Sequence, residues 1–148
     1  MATRKTPTSR KSPTSRKSPT TRRPGPVAGG GATPSVSLRA LALDVVLRDY
    51  GFGVTVSVLA IDRASGLVVD GLDAPNFAVA AVQSPTGWAH DRALTISSGV
   101  NRNAGVHQFS VERDGKKLAA GPWTLCVAVR GTHEGKVLVG ATLAAIDV

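Results

Sequence analysis

Basic residues recur in pairs at regular spacing near the start of this 148-residue chain. A six-residue unit of the form Arg-Lys-Ser/Thr-Pro-Thr-Ser/Thr occupies residues 4–21 three times, and one more basic pair follows. Paired cations separated by small polar side chains suit the phosphates of a nucleic acid or another polyanion. The segment has no aromatic side chain that could stack on a base, so selectivity for sequence or for single strands is not expected. The predicted polyanion-binding residues are Arg4, Lys5, Arg10, Lys11, Arg16, Lys17, Arg22 and Arg23.

The whole net charge of the chain lies in this segment. The chain has 18 Lys and Arg against 10 Asp and Glu, a net charge of +8. Residues 1–34 hold eight of the basic residues and none of the acidic ones, so residues 35–148 are formally neutral. A compact nucleic-acid-binding domain would carry its cations within the fold. Acidic lipid headgroups, or a merely solubilising role without a dedicated partner, are the alternatives for the segment.

Composition divides the chain into two parts. Proline recurs in each six-residue unit and three glycines follow at residues 29–31, so residues 1–34 are predicted to be a disordered tail and linker. Residues 35–148 are long enough to form one domain with a buried core. No run of about 20 apolar residues and no secretory signal is visible, so neither membrane insertion nor a signal peptide is expected. The compartment stays open, with the cytoplasm or a virion favoured.

Catalytic motifs are not found. The three histidines, His90, His107 and His133, do not stand at metal-binding spacing, and Cys126 is the single cysteine. No nucleophile elbow and no phosphate-binding loop is present. The sequence therefore predicts no catalytic residue, no metal site, no cofactor and no enzyme.

Three aromatic residues outside the clear strand patterns are candidate loop contacts. Tyr50 and Phe52 flank a glycine in a turn, and Trp88 follows a Ser-Pro-Thr-Gly sequence. Large aromatic side chains on loops are frequent binding residues. The alternative for Trp88 is that it folds back to cap the core.

Short apolar runs separated by turn residues must position these side chains. Alternate residues of three segments fall on one strand face, and these faces are Val54-Val56-Val58-Ala60, His107-Phe109-Val111 and Trp123-Leu125-Val127-Val129. Residues 41–47 fit either a strand or a helix, while residues 67–69, 76–83, 94–97 and 137–148 are further strand candidates. Asp114-Gly115 indicates a hairpin. About eight strands without a long helix predict an all-β fold, an antiparallel sandwich or barrel.

A family resemblance supports the sandwich. Residues 61–72, followed by residues 76–79, resemble the start of many bacterial immunoglobulin-like domains, with an Asp-x-x-Gly turn, a short strand, Gly-Leu and a Phe-x-Val strand. Residues 103–109 resemble the Asp-x-Gly-x-Tyr corner of that fold, with His107 in place of the tyrosine. Phe109 stands where one cysteine of the inter-sheet pair would be. The resemblance implies a disulfide-free immunoglobulin-like sandwich of seven to eight strands, and it implies no particular function.

The expected function is a non-enzymatic interaction module. The tail would tether it to an anionic partner, in the first instance nucleic acid, and the sandwich would contact another protein or itself. The alternative is a structural or assembly component, such as a virion decoration or capsid-associated protein, whose basic arm docks on neighbouring subunits or on the genome.

Overall fold

Strands make up most of the part of the chain that the structure describes. The computed structural model describes residues 37–148, apart from the side chains of residues 89–92. These residues confirm the all-β class, while the predicted disorder of residues 1–34 lies outside them. The elements are β1 (Leu38–Asp49), β2 (Val54–Asp62), a 3-10 turn (Ala74–Asn76), β3 (Phe77–Ser84), β4 (Gly87–Ile96), β5 (Asn101–Asn103), β6 (Val106–Glu112), β7 (Pro122–His133) and β8 (Lys136–Asp147).

The strands close into a barrel. Their order is β2-β1-β8-β7-β3-β4-β6, and β6 also pairs with β2, so seven strands form a closed ring. The short β5 pairs only with β6. The closed ring is the barrel alternative of the strand pattern, and it does not confirm the sandwich of two sheets that the family resemblance implies. The β1–β8 pair is also parallel, where antiparallel pairing was expected throughout.

Two long strands cause the closure, because each pairs on both sides of the barrel. β1 pairs with β8 over residues 38–40 and then with β2 over residues 41–49. β4 pairs with β3 up to Leu94 and then with β6 at Thr95 and Ile96. A strand that bends from one sheet into the next joins their edges. A strand of a barrel and a strand of a sandwich show the same alternation of buried and exposed residues, so the sequence pattern does not distinguish the two architectures.

The core lies where the predicted alternation places it. On β2, Val54, Val56, Val58 and Ala60 are completely buried. β-Branched side chains suit such a pleated, enclosed surface. The buried rows of the neighbouring β6 and of β3 and β7 complete the core, and they are His107, Phe109 and Val111 on β6, Phe77, Val79 and Ala81 on β3, and Trp123, Leu125, Val127 and Val129 on β7.

A glycine permits the close approach of the first and last strands. A Cβ atom at Gly140 would lie 2.9 Å from Leu41 Cβ and 3.0 Å from the Leu41 carbonyl oxygen. This is the point at which β1 leaves β8 and begins to pair with β2. Gly140 therefore has a steric role in closing the barrel.

Several local predictions are changed by long-range pairing. Residues 41–47 belong to a strand, because they pair with β2 along their whole length. Residues 67–69 form no strand, and only Val68 makes an isolated bridge, to Ile61. The Asp114-Gly115 turn is closed by a bridge between Arg113 and Lys116. It does not make a hairpin, since the next strand, β7, pairs with β3 and β8 instead of β6.

Candidate functional site

The predicted polyanion-binding residues, Arg4, Lys5, Arg10, Lys11, Arg16, Lys17, Arg22 and Arg23, lie outside the described residues. The described residues include the three candidate loop aromatics and the polar side chains that the barrel brings together.

Tyr50 and Phe52 form an exposed aromatic pair in the β1–β2 turn. Their ring centroids are 5.8 Å apart and their planes differ by 12°, so the rings are stacked. The side chains are 52% and 78% exposed. The turn is fixed by Gly51, whose N–H donates to Asp49 Oδ1 at 2.8 Å and whose carbonyl accepts a bond from Lys117 Nζ at 3.3 Å. A stacked, solvent-facing pair beside an ammonium group is a surface on which a planar or anionic ligand could rest.

Trp88 occupies a different position from the one predicted. It lies within β4, opposite Gln83 on β3, and not in a loop. It is 71% exposed, so it does not cap the core. The tight Pro85-Thr86 turn after β3 explains this, because β4 begins immediately at Gly87.

A polar cleft that sequence reasoning missed opens near the start of β1 and the end of β2. Its volume is about 300 Å³. Arg39 links two of its three carboxylates, since Nε lies 3.2 Å from Asp62 Oδ2 and Nη1 lies 3.4 Å from Glu134 Oε2. His133 Nε2 is 4.0 Å from Glu134 Oε1. The polar residues that line the cleft are Arg39, Asp62, Ser65, Asp70, His133 and Glu134.

Asp62 is held in its ionised form. The Ala64 N–H donates to Asp62 Oδ1 at 2.9 Å and lowers the pKa of this carboxyl group. Burial acts in the opposite direction, and the positive charge of Arg39 lowers the pKa further. The same carboxylate thus fixes the β2 turn and orients Arg39. These two contacts give Asp62 a structural role at the end of β2.

His107 is a buried, neutral side chain. Its Nε2 accepts a hydrogen bond from the Leu72 N–H at 3.2 Å, so the ring proton belongs on Nδ1. Nδ1 has no regular hydrogen-bond partner among residues 37–148, although the Val58 carbonyl opposite it favours the protonated form. Burial is the largest effect on the pKa of His107 and lowers it. The negative charge of Asp70, whose Oδ1 lies 3.7 Å from Nε2, raises the pKa by a smaller amount. His107 therefore connects β6 to the segment before β3.

The polar cleft contains charged side chains that are largely paired with one another. Arg39 is already shared between two carboxylates, which leaves little positive charge for an added anion.

Within residues 37–148, no group of three or more His, Cys, Asp or Glu side chains is arranged to hold a metal ion. Over the same range, no helix is long and apolar enough to cross a membrane.

Comparison with protein-family models, with curated proteins and with solved structures finds no match for this chain.

Proposed function

We propose that the protein is a non-enzymatic interaction module whose cationic tail holds the barrel near an anionic partner, in the first instance a nucleic acid. The observation that carries the proposal is the separation of charge. Eight cations lie in residues 4–23, while residues 35–148 have equal numbers of acidic and basic residues. An attraction to a polyanion would then belong to the tail, and the barrel would be free to bind something else.

We further infer that the barrel is a variant of the disulfide-free immunoglobulin-like fold. In support, the strand order β1-β2-β6-β5 on one side and β3-β7-β8 on the other corresponds to the ABED and CFG order of that fold. One part of the resemblance loses its support. The corner-like segment before Phe109 leads into β6, which pairs with β2, whereas the corner tyrosine precedes a strand of the opposite sheet.

A salt titration with charge variants of the full chain tests the tail. If all eight cations contact duplex phosphates, the slope of log affinity against log salt is about −7, and neutralising four of them reduces it to about −3.6. Binding of a labelled duplex would be measured for the wild type, for a variant with four Lys or Arg replaced by Gln, and for one with all eight replaced. A control with eight Ser or Thr of the same repeats replaced by Ala keeps the charge and should keep the slope. Equal slopes for all four proteins would refute the tail proposal.

A structural or assembly role is the second candidate, and the exposed apolar side chains of β8 favour it. Val139 and Leu143 are both exposed on the outside of the barrel, where a monomer gains nothing from them. Light scattering of the full chain, alone and with DNA, would show symmetric assemblies of defined size if this role applies. A strictly monomeric protein in both conditions would count against it.

A further inference from the structure

The outer face of one side of the barrel is apolar. It is built by β3, β7, β8 and the first residues of β1, which are neighbours in that order, and by Trp88 and Ala93 of the adjoining β4. Of the exposed large hydrophobic side chains, Leu38, Trp88, Val139 and Leu143 lie on these strands. We call this surface the outer sheet face.

Strand register arranges the outer sheet face in flat rows of small side chains. Cross-strand partners point to the same side of a sheet, so each set of paired residues forms one row. The three central rows contain no charged side chain, and Leu143 is the only side chain in them that is larger than glutamine. They are Gln83–Thr124–Ala145, Ala80–Cys126–Leu143 and Ala78–Ala128–Ala141. Small side chains let another sheet approach closely.

We propose that a second copy of this chain covers the outer sheet face, forming a dimer in which the two faces pack against each other about a two-fold axis. The axis runs across the strands near Cys126. The inference rests on the proposed interaction role of the barrel and does not depend on the tail.

The size of the face matches this occupant. The three full strands and the adjoining parts of β1 and β4 amount to about four strands about 4.8 Å apart, or about 19 Å, and ten residues of β8 at about 3.3 Å each are about 33 Å long. The product is about 630 Å², at the lower end of the range of about 600–1,000 Å² that each partner contributes to a standard interface. The chain's own N-terminal segment is a poor alternative, because residues 3–23 contain no Leu, Ile, Val, Phe or Met to place on the face.

Charges at the two ends of the face select the direction of the axis. Arg130 projects beside Val139 at one end, and Asp147 lies opposite Pro122 at the other. Cys126 is midway between Arg130 and Pro122 along β7. An axis across the strands brings Arg130 of one copy to the end that carries the partner's Asp147. An axis along the strands would oppose the same charges to each other, which is unfavourable.

Paired substitutions of matched exposure test the face. Leu143→Glu changes a side chain that is 62% exposed on the outer sheet face, and Leu67→Glu changes one that is 69% exposed elsewhere. Sedimentation equilibrium of the full chain at high salt, where the tail is screened, measures the dimer dissociation constant. Since the two-fold interface contains Leu143 twice, Leu143→Glu should raise this constant at least about 100-fold. Leu67→Glu should leave it unchanged.

Two further measurements test the axis. At low salt, in a chain whose eight tail cations are replaced by Gln, Arg130→Asp and Asp147→Arg should each weaken the dimer, and the double exchange should restore it. Copper-phenanthroline with oxygen should oxidise the two Cys126 thiols of a dimer to a disulfide, and Cys126→Ser should abolish this link without abolishing the dimer.

A wild type that stays monomeric at every concentration would overturn the proposal, as would an equal loss of dimer with Leu67→Glu. Failure of both the charge exchange and the cross-link would overturn the two-fold axis. Because the dimer should persist when the eight tail cations are replaced by Gln, failure here is distinguishable from failure of the polyanion proposal.

Discussion

Acidification should destabilise the barrel through His107. Burial lowers the pKa of this side chain in the folded protein, so the native state takes up a proton less readily than the unfolded chain. The unfolded chain has a histidine pKa of about 6.5. Between pH 7.5 and 5.5, protonation therefore favours the unfolded state by up to about 1.4 kcal/mol. The full loss of about 1.4 kcal/mol in unfolding free energy applies when His107 stays neutral in the folded protein from about pH 7.5 to about pH 5.5.

The assay is urea unfolding of the full chain at several pH values, followed by the fluorescence of the buried Trp123. His107→Gln removes the titration but keeps an oxygen that can accept the Leu72 N–H, so its stability should depend less on pH by up to about 1.4 kcal/mol. His107→Leu should be equally flat but less stable by about 1–3 kcal/mol, because the buried Leu72 N–H loses its acceptor. Parallel curves for the wild type and His107→Gln would refute the reasoning.

Three further predictions follow from the packing. Gly140→Ala should lower the free energy of unfolding by about 1–3 kcal/mol, because the added methyl group meets the Leu41 backbone, and thermal unfolding measures this loss. Asp62→Asn keeps an acceptor for the turn but removes the charge. The ionised Asp62 stabilises the fold above the ordinary Asp pKa, and this stabilisation is lost as pH falls. The free energy of unfolding of the variant should therefore decrease less than that of the wild type at acidic pH. Phe52→Ser should change stability by less than about 0.5 kcal/mol in the same urea assay, and a larger loss would mean that the aromatic turn packs against the barrel.

The sequence predicts the faces of the central strands well. Val56 and Val58 on β2 and Leu125 and Val127 on β7 are buried as their alternation indicates. Alternation depends only on which side of the pleat a residue occupies, so it can be read locally. The partner of each strand is decided by long-range packing. This is why alternation alone does not separate a barrel from a sandwich and why β7 does not form a hairpin with β6.

The polar cleft could not be predicted from spacing. Arg39, Asp62 and Glu134 come from three distant parts of the chain, and only the pairing of β1 with both β2 and β8 brings them together. Trp88 falls outside the strands that the sequence predicts because residues 87–93 do not alternate, and its place in β4 depends on pairing with Gln83 of β3. The role of the tail cations stays a prediction.

The parallel pairing of β1 with β8 has a mechanical consequence. The basic segment joins the barrel at the start of β1, where the Ser37 carbonyl accepts the Val137 N–H at 2.9 Å. Because β1 and β8 run in the same direction there, tension between the segment and the end of β8 pulls the two strands lengthwise past each other. Their hydrogen bonds then share the load instead of opening one after another. A barrel attached through its tail to a long polymer and pulled at the end of β8 would thus be loaded in shear, the direction in which paired strands resist force best.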